Sequence, residues 1–208
     1  TQKFKEEDGL RQSAEATNRA EVMFFTSRQQ VYKCRLSDFD DTKASALGDY
    51  LPTRLAMDEG ENVVAMVLPG DYAGSVLFFF ENGKAARVDL GAYATTSNRR
   101  RLTGAYSDKS PLVALMHLTE EREVALYSAE VRALVVSTAL LAPKATRSTQ
   151  GVNIMTLKPK YRLEGAAPLS ATPIQNAARY RARSLPVAGA LLREEDRGEE
   201  QMSLMEPS

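Results

Sequence analysis

Three stretches of this chain lie over one another without a gap: VMFFTSRQQVYKCRLSDF from Val22, VLFFFENGKAARVDLGAY from Val76 and VALYSAEVRALVVSTALL from Val124. Their starts are roughly 50 residues apart, a period in the range of propeller blades. Such a repeat restricts the fold strongly, because each copy must be one supersecondary unit that buries its apolar face against the next. Every copy opens on a short strand-forming run, breaks, and resumes in a second strand-like run. The break falls at 27–30 in the first copy and at Glu81-Asn82-Gly83-Lys84 in the second. Asn-Gly predicts a type I′ hairpin turn with both residues at positive φ. The third copy breaks at 128–130. Each copy reads as a β-hairpin.

Downstream the likeness is looser. Phe39, Tyr93 and Leu141 lead into polar loops, each reaching a glycine: Gly48, Gly104 or Gly151. A further strand-like run follows, as in 152–157, and two copies add an acidic turn, Asp58-Glu59-Gly60-Glu61 or Glu120-Glu121-Arg122-Glu123. Another strand, such as 63–68, then leads to the next hairpin, giving about four strands per unit. The units read as 22–75, 76–123 and 124–163, the last complete or cut short, with 1–21 as the end of a preceding unit entered midway. From 164 to 208 the chain reads as a tail. It has room for a short helix near Thr172 and Pro173, and 194–208 is expected to be an acidic, disordered end.

Composition removes several classes of function. Cys34 is the one cysteine and His117 the one histidine among 208 residues, so neither a disulfide framework nor an ordinary four-ligand zinc site can be built. No apolar run is long enough to span a bilayer, and the polar first residues do not read as a secretory signal. Lone Cys usage fits a reducing cytosol. Lys and Arg number 27, as do Asp and Glu. That neutrality is a sum of blocks. Between Asp38 and Asp71 eight acids face two bases, from Lys144 to Arg183 eight bases face Glu164 alone, and between Arg193 and Glu206 six acids face two bases. Binding follows local potential rather than the total.

The ordered recurrence of hairpin, basic loop, glycine and acidic turn, with VMFFTSRQQVYKCRL and LAMDEGENVVAMVLP, resembles the C-terminal domain of the DNA-cleaving subunit of the bacterial type IIA topoisomerases, gyrase and topoisomerase IV. The opening FKEEDGLRQSAEATNRAEVMFFTSRQQVYKCRL is similar to the family's passage between its first two blades. The resemblance covers 3–158 and implies an all-β fold, a propeller-like β-pinwheel of four-stranded blades, open or with fewer than six. It implies a domain without chemistry of its own that binds and bends double-stranded DNA for an ATP-dependent type II topoisomerase. The parent would be a homodimer of the DNA-cleaving subunit together with the ATPase subunit, in the bacterial cytoplasm at the nucleoid, and no cofactor is implied for this part. The family's basic box, similar to Gln-Arg-Arg-Gly-Gly-Lys-Gly, does not occur in these residues, so the wrapping it supports in gyrase is not implied.

The candidate DNA contacts are the loop bases: Lys43 in the first loop, Arg99, Arg100 and Arg101 in the second, Lys144 and Arg147 in the third. Matching places in successive units would set them along one rim, where neutralised phosphates release counterions and no base is read. Lys158, Lys160 and Arg162 extend the third group or guard a strand edge. Arg28, Lys33, Arg35, Lys84 and Arg87 read as solvated hairpin residues. Arg179-Tyr180 is similar to the Arg-Tyr pair of a type IIA cleavage site, but without its winged-helix context it reads as a tail tyrosine among solubilising arginines. His117 and Cys34 read as core or edge residues, and Phe24, Phe25, Phe78, Phe79 and Phe80 as core strand. No catalytic constellation is visible. A second reading is a propeller-like protein-interaction module whose basic loops meet an acidic partner or the chain's own acidic end.

Overall fold

The computed structural model describes residues 21–35, 37, 55–96 and 100–198. They fall into two compact units, one drawn from Thr1–Ala73 with Tyr93–Tyr106, the other from Gly74–Ala92 with Ser107–Ser208. The first unit holds one four-stranded sheet and the second holds two. The three copies of the repeat form three antiparallel hairpins: β1 (Glu21–Thr26) with β2 (Val31–Arg35), β4 (Ser75–Phe80) with β5 (Lys84–Asp89), and β8 (Glu123–Ser128) with β9 (Arg132–Ser137). Continuous apolar runs suit strands covered on both faces. Phe24, Phe25, Phe78, Phe79 and Phe80 are all buried core, as their sequence context implies.

Each hairpin gains one strand on either side, always in the same way. The inner neighbours are β3 (Val63–Val67), β7 (Leu112–Leu118) and β11 (Leu163–Pro168), pairing with β1, β4 and β8. All three pairings carry a bulge or register shift at the same place, where Thr26, Phe80 and Ser128 meet Val63, Leu112 and Leu163. The outer neighbours are two-residue strands: β6 (Arg101–Leu102) on β2, β10 (Val152–Asn153) on β5, and β12 (Ala190–Leu191) on β9. The first sheet takes its outer strand from beyond the second hairpin, and the second sheet from beyond the third. The loops after the second and third hairpins thus complete the preceding sheet, rather than the units 76–123 and 124–163 in which they were expected.

The core of the second unit joins both of its sheets. Leu77, Phe79, Leu126, Leu134, Ile154 and Leu163 belong to one buried cluster, and the Leu163 N–H donates to the Glu81 carbonyl at 2.9 Å. Burial of each such side chain contributes about 1.5–3 kcal/mol. In the first unit Phe25 meets the Tyr93 ring edge-on at 5.3 Å between centroids, and the Tyr93 hydroxyl donates to the Ala105 carbonyl at 2.7 Å. His117 lies on β7 opposite Val76, its Nε2 buried without a hydrogen-bond partner among the described residues. Half-buried Cys34 packs against Val22 and Phe24.

Several expectations need revision. The Asn82-Gly83 turn has positive φ at Gly83 alone, and the Gly83 N–H donates to the Phe80 carbonyl at 3.0 Å. That is a three-residue turn ending in one left-handed residue rather than a two-residue type I′ turn. Gln29 and Val131 take the same role at φ 54° and 58°, so two of three hairpins place a side chain where glycine would be easier. The two acidic turns are not equivalents. Asp58–Glu61 precedes inner strand β3, whereas Glu120–Arg122 joins β7 to β8. In the third sheet the place of 58–61 belongs to Lys158-Pro159-Lys160-Tyr161, and positive φ falls on Gly60 and on Lys160 in turn. The glycine correspondence shifts as well. Gly151 and Gly189 immediately precede the outer strands of the second and third sheets, while the first has Arg101 opposite Tyr32 at that register.

The segment from 164 onward is not simply a tail. It completes β11, makes 3₁₀ turns at Leu169–Ala171 and Ala177–Arg179 instead of the expected short helix, and supplies β12. Asp196, expected in a solvated acidic end, is fully buried within the 3₁₀ turn Glu194–Asp196. The backbone accounts for the added strands, since edge positions on β8 and β9 leave N–H and C=O groups that this segment satisfies.

Candidate nucleic-acid interface

Before each outer strand forms, the chain runs along the flank of the second hairpin strand. In the first sheet the Lys33 N–H donates to the Arg100 carbonyl at 2.7 Å. In the second sheet the Lys144 N–H donates to the Arg87 carbonyl at 2.8 Å, and Asp89 N–H to the Lys144 carbonyl at 2.9 Å. In the third, Val135 N–H donates to the Tyr180 carbonyl at 2.8 Å and Ala182 N–H to the Val135 carbonyl at 2.9 Å. The flank of the second hairpin strand therefore carries Arg100 and Arg101 in the first sheet, as an antiparallel continuation of β6, and in the other two Lys144 with Arg147 and Arg179 with Arg181 and Arg183, where the chain instead bridges Val88 and Val135 in parallel.

The third set was hidden in the sequence because no hairpin introduces it. Its signal was the alternation in Ala178-Arg179-Tyr180-Arg181-Ala182-Arg183. Tyr180 is buried, and its hydroxyl donates to Asp196 Oδ2 at 2.5 Å. Asp196 also accepts from the Gln175 and Asn176 amides at 2.7 and 3.1 Å. Burial works against ionising this carboxyl, yet those three donors outweigh it and hold Asp196 below the usual aspartate range. Burial, helped by Asp196, pushes Tyr180 up. With the tyrosine anchored inward, Arg179, Arg181 and Arg183 stay exposed. Arg181 forks onto Glu123 at 2.7 and 2.9 Å and keeps that carboxyl below its ordinary range.

The other expected residues separate into distinct places. Lys43 and Arg99 lie outside the described residues. Arg100 and Lys144 are exposed, and half-buried Arg147 donates to the Ala92 carbonyl at 3.1 Å. Arg101 is engaged within its own unit, its Nη2 lying 2.8 Å from Asp58 Oδ2. Lys158, Lys160 and Arg162 are exposed not on the flank but at the hairpin-turn end of the third sheet, where the Ala129 N–H donates to the Arg162 carbonyl at 2.9 Å. Lys158 Nζ stands 3.8 Å from Glu130 Oε2, the lysine exposed and the carboxylate largely buried. Half-exposed Tyr161 sits among these bases.

Two hairpin bases are not solvated residues after all. Arg87 is largely buried: it forks onto Glu121 at 2.8 and 3.0 Å, donates to Ser75 Oγ at 2.8 Å, and reaches the Thr138 and Leu141 carbonyls at 2.8 and 3.1 Å. Lys33, 8% exposed, lies 5.3 Å from the centre of the Tyr72 ring and 3.7 Å from Glu21. Both are held by partners from other segments, which strand alternation alone did not settle. Among the described residues no group of three or more His, Cys, Asp and Glu side chains could hold a metal ion.

Residues 20–48 and 142–170 match the family model described as the DNA gyrase C-terminal domain, beta-propeller. A solved C-terminal domain of DNA topoisomerase IV superposes with TM-score 0.70 at 17% identity, covering 84% of this chain and 59% of that one. The resemblance holds, and the fold is the β-pinwheel. A DNA gyrase A C-terminal domain gives TM-score 0.56 at 14% identity over 86% of this pinwheel chain and 63% of its own. The E. coli ParC C-terminal domain gives 0.54 at 13%, over 83% and 71%. The chain thus spans less than two thirds of the first two domains, and at these identities the solved structures speak for the fold. No curated protein sequence matches. Among the described residues no helix is long and apolar enough to cross a membrane.

Proposed function

We propose that this pinwheel binds double-stranded DNA without sequence preference and bends it, as a non-catalytic part of the DNA-cleaving subunit of a type IIA topoisomerase. The observation that carries the reading is the presence of bases beside the second hairpin strand of each sheet: exposed Arg100, then exposed Lys144 with half-buried Arg147, then exposed Arg179, Arg181 and Arg183. Loops are free to lose charge at any one place, so bases beside the same hairpin strand in three sheets favour a shared anionic partner. Lys158, Lys160 and Arg162 would extend the contact at the turn end of the third sheet. Bases of this kind position phosphates and leave the sequence unread, with bending cost as the remaining source of preference. The parent would be a homodimer of the DNA-cleaving subunit working with a separate ATPase subunit in the bacterial cytoplasm.

The test is duplex binding as a function of salt. Each phosphate contact contributes about 0.9 to the slope of log K against log salt. Replacing Arg179, Arg181 and Arg183 together by Ala should flatten that slope by about two to three, equally for unrelated duplexes. A chain that binds no duplex at low salt would sink the proposal. An acidic protein partner is the second reading, favoured by Arg181 already holding Glu123 in a forked pair. Saturable binding to an acidic polypeptide, with none to DNA, would select it.

A further inference from the structure

Arg101 stands where the other two sheets have glycine. Gly151 and Gly189 adopt φ of 75° and 77°, and a side chain on either would run into the Ala85 or Ala133 carbonyl at 1.9 or 2.4 Å. Those outer strands can approach their neighbours because nothing projects at that point. In the first sheet the register is the same, with Arg101 opposite Tyr32 and Leu102 opposite Val31, yet the residue carries the longest of side chains. Its guanidinium is held on three sides. Nη2 meets Asp58 Oδ2 at 2.8 Å, Nε donates to Gln30 Oε1, and the group lies 5.6 Å from the centre of the Tyr32 ring.

Those partners are themselves fixed. Buried Glu61 accepts from Thr26 Oγ1, from Gln30 Nε2 at 3.0 Å, from the Tyr32 hydroxyl at 2.8 Å and from the Asp58 N–H at 2.9 Å. Gln30 Nε2 also donates to Asp58 Oδ2 at 3.2 Å. The network therefore ties the first hairpin turn, the acidic turn before β3 and the outer strand into one polar cluster. Its counterparts in the other sheets lack the means to build it: Ala86 and Leu134 replace Tyr32, and Ser107 and Lys158 replace Asp58.

We propose that Arg101 is a positioning residue rather than a phosphate ligand: it pins the outer strand to Asp58 and Gln30 and so presents exposed Arg100 to DNA. The proposal rests on the DNA-binding reading above and assigns different work to neighbouring arginines. A fork engaged with a carboxylate, an amide and an aromatic face has geometry fixed on the protein side, and leaving it would strip Asp58 and Gln30 of their partner. Arg100 contributes its carbonyl to the Lys33 N–H, so its own side chain is what the pinned strand turns outward.

Duplex binding by the whole chain at a series of salt concentrations separates the roles. Arg100→Ala should flatten the slope of log K against log salt by about 0.9. Arg101→Ala should leave the slope within error while weakening binding, and it should shrink the effect of Arg100→Ala measured in its background. Arg101→Lys, which keeps the charge but not the fork, should restore binding only in part. Asp58→Asn should keep the slope too, which matters if Arg101→Ala does not fold. A slope flattened by about 0.9 in Arg101→Ala, or steepened by as much in Asp58→Asn as a freed guanidinium takes up a phosphate, overturns the assignment. Unfolding cycles on Arg101 and Asp58 without DNA should show coupling even if no duplex binds, so failure of the DNA reading is distinguishable from failure of the anchor.

Discussion

Asp196 shows how much a single side chain can hold in a segment that has little regular structure. It is fully buried and takes hydrogen bonds from Tyr180, Gln175 and Asn176, so it joins the last 3₁₀ turn to the segment carrying three exposed arginines. Asp196→Ala would orphan a buried hydroxyl and two amides, and should cost about 3 kcal/mol in urea unfolding. Because its folded pKa lies below the ordinary value of 3.8, the unfolded chain takes up the proton first. Its contribution is then whole at neutral pH, declines as pH falls below about 4, and is gone once pH passes the folded value. Glu121, held low by the Arg87 and Thr138 hydrogen bonds, adds in the same direction. Tyr180 works from the other side: its raised pKa gives stability that persists below 10 and is lost as pH rises through the folded value. An acid limb of the stability curve that is unchanged in Asp196→Asn would contradict this account. In the first unit Tyr32 is pushed up to about 12, by burial first and by its hydrogen bond to Glu61 next.

At the scale of elements, the outer strands are the weak points, since each has only two residues in the ladder. Gly151 lets β10 approach because its positive φ and missing side chain avoid the Ala85 carbonyl. Gly151→Ala should destabilise that docking by about 2 kcal/mol or more. It should be read as faster amide exchange at Ile154 and Met155, which donate to the Gly83 carbonyl at 3.0 and 3.1 Å, with β4 exchange little altered. Hairpins of this kind were legible in the sequence because strand runs and breaks recur in order, and their core phenylalanines followed. Of the outer strands β10 lies within the expected run 152–157, but β6 and β12 were not legible, because two residues give no periodicity and the partners lie elsewhere in the chain. For the same reason Gly104, φ 59° with open space around it, was aligned with Gly151, whose register partner in the first sheet is Arg101. For the bases expected to contact DNA, the sequence did not show their sorting into flank and turn end. Side-chain capture, as of Arg101 by Asp58 or Arg87 by Glu121, leaves no mark on spacing.

For the whole molecule, the cancelling charge blocks acquire places. The acids at 58–61 sit before β3 and hold Gln30, Tyr32 and Arg101, while the same turn before β11 is basic and exposed. One repeated turn thus carries opposite charge in the first sheet and in the third. The acidic end divides too, with Asp196 inside the fold and Glu199, Glu200 and Glu206 beyond the described residues. A truncation meant to ask whether this end competes with DNA must therefore stop after Gly198. Removing 199–208 should keep Asp196 and its hydrogen bonds to Tyr180, Gln175 and Asn176. If the end competes for the bases, duplex affinity should rise severalfold at low salt and converge with that of the full chain as salt screens both. Removing 194–208 should instead lower stability, because Asp196 leaves with it, and weaken binding through Arg179, Arg181 and Arg183. Equal stability of the two truncations would show that Asp196 does not hold the flanking segment. Equal affinity of the shorter truncation and the full chain would show that the acids beyond 198 do not cover the DNA-binding bases.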